Sequence, residues 1–258
     1  MIGFLIKKSF FDGWDNLLTL VLLNLGYLIA LGIVLLASTV AETSVWLGYG
    51  LIVLAIFYVS VYSLGVGALT FGYSRYKREG IKTFFKAIKE HFTHALLHFA
   101  LLVVMVLCVL FVIPFYFQMA NMVGYFLGML LFWALFAFIL ALQYYFPLCY
   151  YCEADRPIVT MRKCFGIVSD NLGVTFFLLF RTLIDLALTI FTATLVPGFG
   201  GISLARMDTI KLLLKKYDFF EANPGATKKD LNWEDLLYEE KELVGPRTLK
   251  GMIFPWKD

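Results

Sequence analysis

The chain has 258 residues, of which 60% are hydrophobic and 16% charged, and its mean hydropathy is positive. So little polar surface excludes one or two ordinary soluble domains and predicts a polytopic membrane protein. The formal net charge of +3 says little as a total; the positions of Lys and Arg along the chain carry the information.

The N-terminus sets Lys7 and Lys8 ahead of an apolar run from Leu17 to Ser38. That run is long enough to span and no small-residue cleavage motif follows it, so it reads as a retained first helix. Further runs of spanning length cover Trp46 to Thr70, Thr93 to Ile113, Val123 to Pro147 and Leu172 to Leu195. A Pro197-Gly198 turn then leads into Ile202 to Leu214, a shorter run interrupted by Arg206, Asp208 and Lys211. The connectors after the first and third runs contain no Lys or Arg. The connectors Gly72 to Phe92 and Tyr150 to Asn171 are basic, which assigns them and Lys7 with Lys8 to the cytoplasm. Lys215, Lys216, Lys228 and Lys229 obey the same rule only if Ile202 to Leu214 is a sixth crossing.

Asp15-Asn16-Leu17 and Asp170-Asn171-Leu172 each stand at the threshold of an apolar run, with Glu90-His91-Phe92 as a blurred copy. Before two of these thresholds runs an amphipathic stretch: Ile81, Phe84, Phe85, Ile88 and Phe92 around Lys82, Lys86 and Lys89, and Ile158, Met161, Phe165 and Val168 beside Arg162 and Lys163. Shifted by roughly eighty residues, these two copies align. The expected fold is therefore all-α: a bundle of six transmembrane helices as three repeated hairpins, residues about 1–72, 73–150 and 156–216, with cytoplasmic amphipathic helices. The threshold Asp and Asn are expected to cap free N–H groups of the following helix. Residues 217–258 form a polar cytoplasmic tail with an acidic amphipathic helix from Trp233 to Leu243 and an apolar tip, Met252 to Trp256. Trp233, Leu236, Leu237, Phe254 and Trp256 are its candidate partner-binding residues.

Ionisable side chains at membrane depth are expected to be paired. Arg181 and Asp185 lie one turn apart in the fifth run, and Arg206 and Asp208 return to a similar depth after the Pro-Gly turn, within about 5 Å along the axis. These four are expected to form a buried charge cluster locking the last hairpin. A transport path lined by Arg181 and Asp185, with Asn24 and Gln143 on the same cavity, is the competing expectation. His94 and His98 have the i, i+4 spacing of a metal pair, and Cys149-Tyr150-Tyr151-Cys152 falls at the same membrane face; without an adjacent ligand, interfacial packing is the expected role, and no metal or cofactor is assigned. Gly124 and Gly128 permit close helix approach. No disulfide framework is expected from the cysteines beside basic segments. No phosphate-binding loop, nucleophile elbow or nucleic-acid module is present, so no catalytic residue and no nucleic-acid partner is expected.

Phe84-Phe85-Lys86-Ala87-Ile88-Lys89-Glu90-His91-Phe92, the Phe146-Pro147 pair, Asp170-Asn171-Leu172 and a Pro-Gly turn before Leu212-Leu213-Leu214-Lys215-Lys216-Tyr217 follow one another in an order that resembles the YesL-like family of small bacterial integral membrane proteins. The resemblance covers roughly Phe10 to Tyr217. It implies a bacterial cytoplasmic membrane with both termini inside, and a non-enzymatic accessory role beside a carbohydrate transport system. The residues themselves add anionic inner-leaflet lipid as a partner of the basic loops.

Overall fold

The computed structural model describes residues 1–248; Phe254 and Trp256 lie outside the described residues. The described chain is helical, with no β-strand among the described residues. Among the described residues, five helices are long and apolar enough to cross a membrane: Leu17–Ala41, Val45–Ser74, Phe92–Gln118, Met122–Tyr151 and Leu172–Phe191. That number is consistent with a multi-pass membrane protein.

In chain order, α1 (Ile2–Asp15) meets α2 (Leu17–Ala41) at Asn16, and α3 (Val45–Ser74) returns antiparallel. The short helix α4 (Ile81–Glu90) meets α5 (Phe92–Leu107) at His91. A π turn, Cys108–Val112, joins α5 to α6 (Ile113–Gln118). Pro114 has no N–H for the carbonyl one turn back, and the ladder loosens where that bond is missing. The helix α7 (Met122–Leu142) is offset from α8 (Tyr145–Tyr151) for the same reason, since Pro147 cannot donate to Gln143. Then α9 (Pro157–Asp170) meets α10 (Leu172–Phe191) at Asn171, and α11 (Gly198–Ala222) follows. The tail forms α12 (Trp233–Leu236) and α13 (Tyr238–Val244), where the sequence predicts one continuous helix.

The joints at Asn16, His91 and Asn171 share a backbone: φ −115°, −112° and −135°, with ψ 17°, 22° and 45°. One residue closes a surface helix and opens the next helix without a gap. The expected capping is reversed. Asn16 Nδ2 donates to Asp12 O at 2.8 Å and Asn171 Nδ2 to Ile167 O at 3.1 Å, so each side chain satisfies the carbonyl end of the preceding helix. With no gap, backbone carbonyls already serve the following N–H groups: Leu20 N donates to Asn16 O, and Thr175 N to Asn171 O.

At the centre stands α11, whose Ile202, Leu204, Ala205, Met207, Ile210, Leu212 and Leu213 are buried. It packs against α1, α2, α3, α8 and α10. Its first turn is anchored from outside. Asn24 of α2 donates through Nδ2 to Leu195 O and Pro197 O and accepts from Gly200 N at 2.8 Å through Oδ1. Gly198, at φ +62°, leaves the space that the Asn24 amide fills. Asn24 is thus a cap delivered by a neighbouring helix.

The amphipathic stretches are only partly sunk in the protein. Phe84 fills a slot beside Gly65, and Ile81 and Phe85 remain exposed. In α9, Met161 and Val168 are buried and Ile158 is exposed. Gly124 and Gly128 admit Met119 and Phe117 of the same hairpin, so the small-residue pair serves packing within the chain.

Candidate functional site

The helix α1 turns Leu5, Lys8, Phe11 and Asp12 inward. Lys8 is fully buried. Its Nζ lies 2.5 Å from Asp12 Oδ2, 3.3 Å from Asp208 Oδ1 and 3.9 Å from Glu240 Oε2. It also donates to Ser74 O at 3.1 Å and Tyr76 Oη at 3.0 Å. Beside it, Lys211 Nζ donates to Ser74 O at 2.9 Å and pairs with Glu240 Oε1 at 2.8 Å. Both ammonium groups stand over the Tyr76 ring, at 4.3 and 4.9 Å from its centroid. Tyr76 has φ +59°, which costs a bulky residue on the order of 1–2 kcal/mol. The two cations and the turn at the end of α3 hold it there.

Burial opposes the Lys8 charge, but Asp208 and Asp12 outweigh it, and its pKa rises above the ordinary lysine value. Burial likewise pushes the Asp12 carboxyl up, against the pull of Lys8, and lifts the Tyr76 hydroxyl to about 12. Two ammonium groups face three carboxyls here. The cluster therefore carries more acidic than basic groups, and burial makes each of its charges depend on the partners across from it.

The tail completes this centre. Glu240 reaches both lysines, Leu237 is buried and packs with Leu5, Leu212 and Trp233, and Leu236 is half-buried. At the edges Arg247 pairs with Asp15 at 2.9 Å and Lys7 donates to Gly245 O. Trp233 and Leu237 are therefore engaged within the chain, whereas Tyr238 and Leu243 are exposed. Glu240→Lys would set a third ammonium beside Lys8 and Lys211. It is expected to release α12 and α13 and speed limited proteolysis between residues 223 and 232 by about tenfold or more, equivalent to at least about 1.4 kcal/mol of docking.

The four charges expected to form one cluster separate into two groups. Arg181 Nε pairs with Asp185 Oδ2 at 3.4 Å, and Arg181 Nη1 donates to Ser9 Oγ of α1. Arg206 is half-buried near Tyr27, Asp185 and Tyr144, with its Nε enclosed and unpartnered. Asp208 faces Lys8. Two residues on, a helix has turned about 200°, so Arg206 and Asp208 cannot share a face. Lys8, Asp12, Lys211 and Glu240 are the members the sequence reading missed. The signals were the i, i+4 pair in α1 and the Asp208–Lys211 spacing in α11.

Arg181 and Asp185 line a cleft of about 460 Å³ between α1, α2, α10 and the start of α11. Phe10, Trp14, Leu17, Phe180, Ile184 and Leu188 make its walls apolar. Asn24 is occupied in capping α11, and Gln143 donates weakly to Leu140 O with its Oε1 unpartnered. Neither is among the residues lining that cleft. No family model matches the chain, and no curated protein or solved structure matches it.

Proposed function

We propose that this is a non-enzymatic accessory or scaffold protein of a bacterial inner membrane that holds another membrane complex. The YesL-like order of segments makes a carbohydrate transporter the first partner to test. The reading includes six crossings in three hairpins with both ends cytoplasmic. In support of the sixth, α11 has 25 residues, about 37 Å at the usual rise. Its Asp208 and Lys211 meet partners in the protein rather than lipid.

The observation that carries the accessory role is the hairpin from α5 to α7. In Phe92–Gln118 none of the most apolar window is buried within the chain, leaving Leu110, Phe111 and Phe115 uncovered, and Phe126 and Trp133 of the returning helix are exposed as well. Arg181, Asp185 and Asp208, meanwhile, have intramolecular partners, which weighs against a channel or secondary transporter with a path past Arg181 and Asp185. A photo-crosslinker at Phe111, with purification of the full chain in mild detergent, is expected to give one dominant protein adduct, and the same protein should co-purify without crosslinking. Adducts with lipid alone, from a chain that always purifies by itself, would defeat this reading.

A further inference from the structure

Two neighbouring histidines and a cysteine distant in sequence meet where α4, α5 and α8 converge. His91 is the joint residue between α4 and α5, His94 lies in the first turn of α5, and Cys149 lies in α8. One ligating atom of each lies within 4.8 Å of the other two. The i, i+3 relation across the joint puts both imidazoles on one side, with ring centroids 6.1 Å apart. His98, one turn further on, contacts Ser60 Oγ at 3.0 Å through Nδ1 and is not within reach of the other three ligating atoms, so the i, i+4 pair is not the relevant one.

His94 supplies the evidence that a ligand belongs here. It is 3% exposed. Its Nε2 lies 3.2 Å from Asp155 O, a carbonyl that can only accept. That contact assigns the proton to Nε2 and leaves Nδ1 as a bare lone pair. Nδ1 is buried and has no hydrogen-bond partner. A histidine whose Nε2 donates to a backbone carbonyl while its buried Nδ1 lone pair meets no donor has the arrangement of a metal ligand. Cys149 is fully buried and free, and Tyr145 and Tyr150 stack around the two imidazoles.

We propose that His91, His94 and Cys149 form a binding site for a borderline transition-metal ion of the Zn²⁺ type. Two imidazoles and a thiolate select such ions and reject Mg²⁺ and Ca²⁺, which take oxygen ligands. Metal–ligand bonds of about 2.0–2.3 Å set neighbouring ligand atoms about 3.3–3.8 Å apart. His91, half-buried at the joint, closes the difference by a side-chain movement of about 1 Å, and Cys149 gives up its thiol proton to solvent on binding. Three protein ligands leave the fourth position for water or a donor from outside the chain. Cys152 is directed to Lys163 instead. The bound ion would tie the α4–α5 joint to α8, fixing the two basic connectors to each other.

The test uses the full chain in detergent, stripped with a chelator and titrated with Co²⁺. One equivalent per chain is expected, with thiolate-to-cobalt charge-transfer absorption and tetrahedral d–d bands, all displaced by Zn²⁺. Cys149→Ser should abolish the charge-transfer band and His94→Gln should weaken binding at least tenfold, while Cys108→Ser changes neither. Absence of saturable binding, or a charge-transfer band that survives Cys149→Ser, overturns the proposal. If Cys149→Ser or His94→Gln fails to fold, His91→Ala at its half-buried joint decides: at least tenfold weaker binding supports the site, and unchanged affinity overturns it.

Discussion

Lys8→Met is expected to destabilise the folded chain by about 3–5 kcal/mol, the usual consequence of removing one partner from a buried ionic group. The methionine fills the same space, so the loss is electrostatic. Asp12 and Asp208 then face each other without the ammonium that stands 2.5 and 3.3 Å from them. Asp12→Asn should behave differently. Two cations face three acids, burial opposes the charge of the Asp12 carboxyl, and an amide removes one of the surplus acids while keeping the side chain's shape. Its expected cost is below about 1.5 kcal/mol. The pH dependence follows from Lys8. Its folded pKa is raised above 10.5, so the native state keeps a proton that the unfolded chain releases. The resulting stability is complete below pH 10.5 and is lost as pH rises beyond it towards the folded pKa. Thermal unfolding in detergent, followed by circular dichroism between pH 7 and 11.5, should show a late alkaline fall in wild type that is smaller in Lys8→Met, where the buried Tyr76 hydroxyl still contributes to it. Equal stability of Lys8→Met and wild type at pH 7 would remove Lys8 from the centre of the fold.

Why the sequence concealed this residue is instructive. Lys8 reads as a positive-inside charge because topology rules count lysines along the chain without knowing which are buried. The apolar runs were legible because a spanning helix has to be long and apolar regardless of its neighbours. The joints at Asn16, His91 and Asn171 were legible as thresholds, since a surface helix and a spanning helix differ in composition on either side. Their chemistry was not: whether an Asn side chain serves the preceding or the following helix depends on whether a gap separates the two. The partnership of Glu240 with Lys8 spans most of the chain and has no local signature. Arg206 and Asp208 were treated as one depth, although helix rotation places them on different faces. The His94–His98 spacing drew attention for a similar reason. Regular helical spacing is visible in sequence, whereas the convergence of His91, His94 and Cys149 depends on how α8 returns to the start of α5.

Arg181→Leu alone and Asp185→Leu alone are each expected to cost about 2–3 kcal/mol, while the double substitution restores stability to within about 1 kcal/mol of wild type. The pair is mostly but not completely buried, with side chains 19% and 14% exposed, so the estimate lies below that for Lys8. Either single change leaves one charge in a cleft walled by Phe180, Ile184 and Leu188, and loss of Arg181 also removes the hydrogen bond that ties α10 to Ser9. The double variant leaves an apolar wall in a largely apolar cleft, with no orphaned ion from the pair. Arg206, near Asp185, is the one group that limits full recovery. Unfolding curves of all four proteins give the coupling directly, and a double variant no more stable than the worse single one would show that the pair is not the unit. The same variant separates two roles that the cleft could have. A lock between α1 and α10 needs only a packed contact, so a protein that co-purifies with wild type should still co-purify with the double leucine variant. If the fold recovers but the partner is lost, the ion pair recognises something outside the chain, and the cleft rather than the α5–α7 hairpin is where the partner docks.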